Sequence, residues 1–181
     1  STPHGGGGPG AGACGVAEHL RGHLPEPRVV RTDEGYRISR SGDSLGRVAG
    51  FMGNFGVVVR AYTYLLTLGK ENVKMVGPLA VLGANYIKES LRDDYKLPID
   101  GICKHEFVFD GLLEPNGVTT LDVAKRLLDH GYHAPTIYFP LLFHQSIMIE
   151  PTETESKETL DEFIAVMKKI AAEARETPEL V

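Results

Sequence analysis

The residue pattern predicts an α+β fold. Three observations carry that expectation. Residues 98–181 read strand–helix–strand–strand–helix, residues 55–97 are helical throughout, and residues 1–54 are irregular and punctuated by glycine. A short mixed or antiparallel sheet backed by helices is the architecture such an order produces. The chain has 181 residues, 42% hydrophobic and 24% charged, which are globular values and suit one ordinary domain or a domain plus an appendage. No internal repeat is visible. The expected organisation is a glycine-rich loop region over 1–54, linking helices over 55–97 and a small α+β domain over 98–181.

The elements follow in order. Residues 1–13 read as loop, and 15–24 as a short helix stopped by Pro25 and Pro27. Residues 28–32 and 36–39 flank Asp33-Glu34-Gly35, a hairpin signal with glycine in the turn. Residues 55–68 are apolar almost all round, which predicts a helix buried on most sides and ended by Gly69. A second helix is expected over 71–95. Pro78 falls within it, where it should kink the helix or begin a new one in its first turn. Val81, Leu82, Asn85, Tyr86 and Leu91 give its later part an inward stripe.

The last block starts with a strand at 106–110. Thr119-Thr120-Leu121-Asp122 opens a helix with capping chemistry, Leu121, Ala124, Leu127 and Leu128 lie at helical spacing, and Gly131 is the stop. Residues 136–139 and 146–150 read as strands, and 151–155 as a turn. Leu160, Phe163, Ile164, Met167, Ile170, Ala171 and Ala174 then form an apolar stripe on a closing helix.

Charge and cysteine usage exclude several classes. The net charge of −5 disfavours nonspecific binding to nucleic acid or anionic membranes. Acidic residues gather between Glu150 and Glu179, where the helical pattern makes them a solvated face rather than a binding tail. Cys14 and Cys103 form no CxxC and have no histidine at zinc-site spacing, so reduced, partly buried thiols in a cytoplasmic protein are expected. No apolar run has the length of a membrane span, and no signal-peptide pattern is present. No metal site is expected. The chain begins at Ser1, which suggests a fragment or processed product.

The stretch richest in chemical meaning is Pro3-His4-Gly5-Gly6-Gly7-Gly8-Pro9-Gly10. Glycine runs allow close backbone approach, and successive bare N–H groups make an anion-binding nest. A linker has the same composition, and the residues alone leave both readings open. His4 can stack on an aromatic ring or donate to a phosphate. Asn54, between Gly53 and Phe55, suits a helix N-cap, and the carboxylates of 150–155 suit the N-terminus of the closing helix. Isolated His105 and His133 are assigned structural roles. No Ser-His-Asp, HExxH, Walker or dinucleotide pattern occurs, and no catalytic residue is assigned.

Taken together, these stretches resemble the P-protein family of the glycine cleavage system, pyridoxal-phosphate (PLP)-dependent glycine dehydrogenases of the decarboxylating, aminomethyl-transferring kind. The resemblance rests on the Gly-rich run and on Gly53-Asn54-Phe55-Gly56 with Val59-Arg60-Ala61-Tyr62. It rests equally on His105-Glu106-Phe107, Thr120-Leu121-Asp122-Val123-Ala124-Lys125-Arg126-Leu127, Gly131-Tyr132-His133-Ala134-Pro135-Thr136 and Met148-Ile149-Glu150-Pro151-Thr152-Glu153-Thr154-Glu155. The blocks stand in the family's order and cover nearly the whole chain. Residues 156–181 are more similar to subunit 2 of the two-subunit form than to the end of the single-chain form. Pro78 departs from the pattern.

The resemblance implies the small C-terminal domain of a fold-type I PLP enzyme plus a remnant of its large domain. It implies cofactor-side positions for His4, Gly5, Gly6, Gly7 and Gly8. It also implies that the lysine joined to PLP stands just before the Gly-rich run, and none of this chain's lysines is at the matching position. The implied partners are P-protein subunit 1, lipoylated H-protein and glycine. By itself the chain is expected to be inactive, to bind no PLP covalently, and to self-associate as a homo-oligomer through the apolar 55–68 helix. The alternative is a stand-alone, non-catalytic interaction module.

Overall fold

A computed structural model describes residues 10–48 and 53–181. The chain divides into two compact units, Ser1–Lys70 and Glu71–Val181.

In the first unit, the helix expected over 15–24 is a single stretch of 3-10 helix, Glu18–His23. The hairpin forms as expected. β1 (Arg28–Thr32) pairs antiparallel with β2 (Gly35–Ser39), with Thr32 opposite Gly35. Gly35 has φ +119°, a conformation that only glycine adopts without strain, and so it fixes the two-residue turn. Arg40 to Leu45 folds back on this region, where Ser41 N–H donates to Glu26 Oε2 and Ser44 Oγ to the Leu24 carbonyl.

Helix α1 (Phe55–Asn72) is interrupted at Gly69, whose φ of 70° and ψ of 170° break the helical path where the sequence predicted a stop. The expected burial of this helix is not found: none of its residues is buried, and Phe55 and Leu66 are 80% and 63% exposed. Cys14 is likewise exposed rather than partly buried, because the segment around it has no covering layer.

The second unit holds α2 (Val76–Leu91), β3 (Phe107–Asp110), α3 (Thr120–Asp129), β4 (Thr136–Ile137), β5 (Ser146–Ile149) and α4 (Lys157–Glu176). The three strands form one antiparallel sheet in the order β3-β5-β4. Tyr95 bridges Leu112, so the segment after α2 runs beside the chain leaving β3. The observed order is the α+β order read from the pattern. Phe107, Phe109, Ile147 and Ile149 of the sheet share a single core with Ile87 and Leu91 of α2, Val123 and Leu127 of α3, and Met167 and Ile170 of α4.

Capping and staples follow from local chemistry. Thr119 and Asp122 form a reciprocal capping box at α3, and Gly131 (φ +79°) follows its end. Ser156 Oγ accepts from Thr159 N–H at 3.2 Å at the start of α4. Glu158 stands in the first turn of that helix, where its own backbone N–H and Ser156 hold its pKa below the ordinary value. Arg126 of α3 grips Glu173 of α4 through two hydrogen bonds of 2.9 and 3.0 Å. The Tyr95 hydroxyl donates to the Met167 carbonyl at 2.9 Å, and its burial raises its pKa.

Three helix expectations need correction. α2 starts at Val76, which puts Pro78 in its first turn where the missing N–H costs nothing, and it ends at Leu91 rather than near 95. Its inward face is Ala84, Ile87, Lys88 and Leu91; Leu82 faces solvent, while Val81, Asn85 and Tyr86 are half-buried. Leu121 and Leu128 of α3 are exposed, and Val123 takes the inward position beside Ala124 and Leu127. The strand expected over 136–139 stops after Ile137, because Tyr138 takes φ +56° and turns the chain out of the sheet.

Candidate functional site

One cleft in the second unit gathers two of the sequence blocks singled out above. It has a volume of about 510 Å³ and lies between the loop after α3, the β4–β5 edge and the first turns of α4. The antiparallel register sets Thr136 opposite Met148. That pairing brings residues 131–136 alongside residues 148–155, and both segments line the cleft.

The lower walls are apolar. Ile87 and Ile149 are buried at the base, and Leu160 and Phe163 of α4 flank them. The Tyr132 ring meets Phe163 edge-on, with centroids 5.4 Å apart at 68°, and its partial burial raises the phenol's pKa. The rim is polar: His133, Thr136, Glu150, Glu155 and Thr159. Among the described residues the side chains of His133, Glu150 and Glu155 have no hydrogen-bond or ion-pair partner, and all three are exposed. No lysine or arginine lines the cleft.

The other candidates fall elsewhere. His4, Gly5, Gly6, Gly7 and Gly8 lie outside the described residues. Asn54 receives the Val58 N–H on its carbonyl, while its side-chain Nδ2 donates to the Gly10 carbonyl at 2.6 Å. His105 lies 3.9 Å from Glu106 and away from the cleft lining. Among the described residues no cluster of three His, Cys, Asp or Glu could hold a metal ion. Nor is any helix among them long and apolar enough to cross a membrane.

A further polar group was missed by pattern reading. Lys88 is only 2% exposed, donates to the Gly101 carbonyl and lies 3.2 Å from Glu89 Oε1. Beside it, Asn85 Nδ2 donates to the Cys103 carbonyl at 2.8 Å and its Oδ1 accepts the Cys103 N–H at 3.1 Å. Lys88 and Asn85 thus clamp the loop between α2 and β3. Burial pushes the Cys103 thiol pKa up, which makes it a poor nucleophile.

These donor sets can be tested against PLP, the cofactor the resemblance implies. A phosphate needs cationic or clustered N–H donors, and a covalent aldehyde partner needs an accessible lysine. The cleft offers carboxylates instead, and Lys88 is committed to Gly101 and Glu89. The lining of this cleft does not make a PLP site.

Residues 76–179 match the family model described as glycine dehydrogenase, C-terminal domain, a match that begins at the first residue of α2. The chain belongs to this family. It is 56% identical over 181 residues to a probable glycine dehydrogenase (decarboxylating) subunit 2 of Listeria monocytogenes, covering 99% of this chain and 37% of that protein. A protein of the same description from Caldanaerobacter subterraneus is 55% identical over 183 residues, covering 100% of this chain and 38% of its own length. The chain therefore spans less than two-fifths of the curated relatives it matches. A crystal structure of glycine decarboxylase (P-protein) of the glycine cleavage system, in inhibitor-bound form, superposes with a TM-score of 0.58 at 18% identity, covering 84% of this chain and 37% of that one. That likeness concerns the fold. The glycine dehydrogenase C-terminal domain is thus the α+β unit built on α2, the three-stranded sheet, α3 and α4.

Proposed function

We propose that this chain forms part of a PLP-dependent glycine decarboxylase of the two-subunit kind. In that reading glycine loses its carboxyl group as carbon dioxide, and the remaining aminomethyl group passes to the lipoyl arm of an H-protein. The observation that carries it is identity of 55–56% sustained over 99–100% of the chain to proteins described as subunit 2 of the decarboxylating enzyme. Identity at that level over the whole chain implies one shared fold.

The cofactor would supply an electron sink as the bond to the carboxyl group breaks. His4, Gly5, Gly6, Gly7 and Gly8 are proposed to lie beside it, where glycine permits close backbone approach. Residues 1–54 are then proposed to belong with the large domain, 55–97 to link and 98–181 to form the small domain, with the α2 part of the linking stretch packed into that domain's core. The proposed partners are a first subunit and a lipoylated H-protein. The proposed location is the cytoplasm, with no role at nucleic acid or membrane. Without its partners the chain is proposed to self-associate through α1, whose exposed Phe55, Val58, Tyr62 and Leu66 leave an apolar face open.

The test is borohydride reduction in the presence of PLP, read by peptide mass spectrometry on the two-subunit enzyme and on this chain alone. The expected result is one pyridoxyl-lysine in the enzyme, at a lysine outside these 181 residues, and none at a defined site in the chain alone. A single stoichiometric adduct on a lysine of this chain would refute the assignment.

A further inference from the structure

The cleft between α3, β5 and α4 has a chemistry that the decarboxylase reading leaves unused. Its base and walls are apolar or aromatic, from Ile87, Ile149, Leu160 and Phe163. Its rim carries Glu150 and Glu155, whose carboxylates have no partner among the described residues, and no cationic side chain lines it. Carboxylates that serve the fold are paired here: Asp110 with Lys96, Glu173 with Arg126 and Asp161 with Lys157. Glu150 and Glu155 have no such ion pair, as holds for other exposed carboxylates such as Asp93 and Glu114, and they stand on the rim of the apolar cleft.

A pocket of this size with apolar walls and a few convergent polar groups is the usual form of a small-ligand site. Its unbalanced negative rim selects against carboxylates and phosphates and for a positive head group. The aromatic rings of Tyr132 and Phe163 also favour a cation near their faces. We infer that the cleft binds a primary aliphatic amine, with the chain lying against Leu160 and Phe163 and the ammonium held by Glu150 and Glu155. The amine belongs either to a free alkylamine-like molecule or to a lysine side chain of a partner. The inference uses only the residues of the cleft and stands whether or not the enzyme decarboxylates glycine.

The experiment is a titration of the isotopically labelled chain, followed by chemical shifts of the Met148, Leu160 and Thr159 methyl groups. The probes are methylamine, hexylamine, hexanol, hexanoate and Nα-acetyl-lysine methylamide. Hexylamine is expected to bind at the cleft at least about tenfold more tightly than methylamine, since buried methylene groups add affinity. It should also bind more tightly than hexanol, and hexanoate should be weakest. The double substitution E150Q/E155Q is expected to weaken hexylamine about two- to tenfold while leaving hexanol unchanged. Its melting temperature should match that of the unaltered chain, because neither carboxylate has a partner in the fold. A tighter lysine derivative would assign a partner's side chain, and a tighter hexylamine a free amine. Hexanoate binding as well as hexylamine, no shift with any amine, or an unchanged hexylamine affinity in E150Q/E155Q would each overturn the inference.

Discussion

Replacing Phe109 by alanine is expected to destabilise the second unit by about 3–5 kcal/mol, the usual cost of emptying an aromatic core position. Phe109 has no exposed surface. Its ring lies 5.4 Å from Tyr95 and 5.1 Å from Phe107, so one truncation strips both neighbours of a packing partner. Tyr95 in turn reaches α4 through its hydrogen bond to Met167. Loss therefore spreads from the sheet edge to the closing helix. Urea unfolding monitored by circular dichroism measures it. A cost below about 1 kcal/mol would mean that β3 does not carry the core described above.

Gly111→Ala is expected to cost about 2–4 kcal/mol for a single added methyl group, combining left-handed backbone strain with overpacking. Gly111 has φ +78°, and a Cβ there would sit 2.9 Å from Gln145 Cβ. Gln145 cannot easily give way. Its side-chain oxygen accepts the Thr120 N–H at 2.8 Å, its carbonyl accepts the Thr120 hydroxyl at 2.6 Å, and its own N–H donates to Asp110 at 2.9 Å. The last bond, with Lys96 at 3.0 Å, holds the Asp110 carboxyl below the ordinary range. The methyl group would press on the junction of β3, β5 and the start of α3. Gly117, which has φ +92° and nothing within 4 Å of a built Cβ, is the control for strain without the clash. Equal costs for Gly111→Ala and Gly117→Ala would assign the whole effect to backbone strain.

Much of this fold is written locally. The stripe from Leu160 to Ala174 announces α4, and the Thr119–Asp122 box marks the start of α3. Gly35 fixes the β1–β2 turn. What escaped depends on partners distant in sequence. Lys88 reads as a solvated residue, yet it is buried because the Gly101 carbonyl lies ready to receive it; without that loop, α2 would be given the phase of Val81 and Leu82. α1 misled in the opposite way, since its apolar surface predicts burial that these residues alone do not provide.

The cleft was half legible. Residues 131–136 and 148–155 each stood out in the sequence, but only the Thr136–Met148 register shows that they face one space. Tyr132, His133 and Glu155 gained meaning from that register. Phe163 was read correctly as part of the α4 stripe, yet it also forms a wall of the cleft.

Carboxyl exchange between bicarbonate and glycine tests the proposed function most directly. The assay belongs on a two-subunit glycine decarboxylase in which this sequence replaces the matching 37% of a Listeria subunit 2. The expected result is retained, PLP-dependent exchange that is lost when the segment is omitted. A chimera that folds and joins its partner subunit yet exchanges no carboxyl group would contradict the assignment of this chain to glycine decarboxylation.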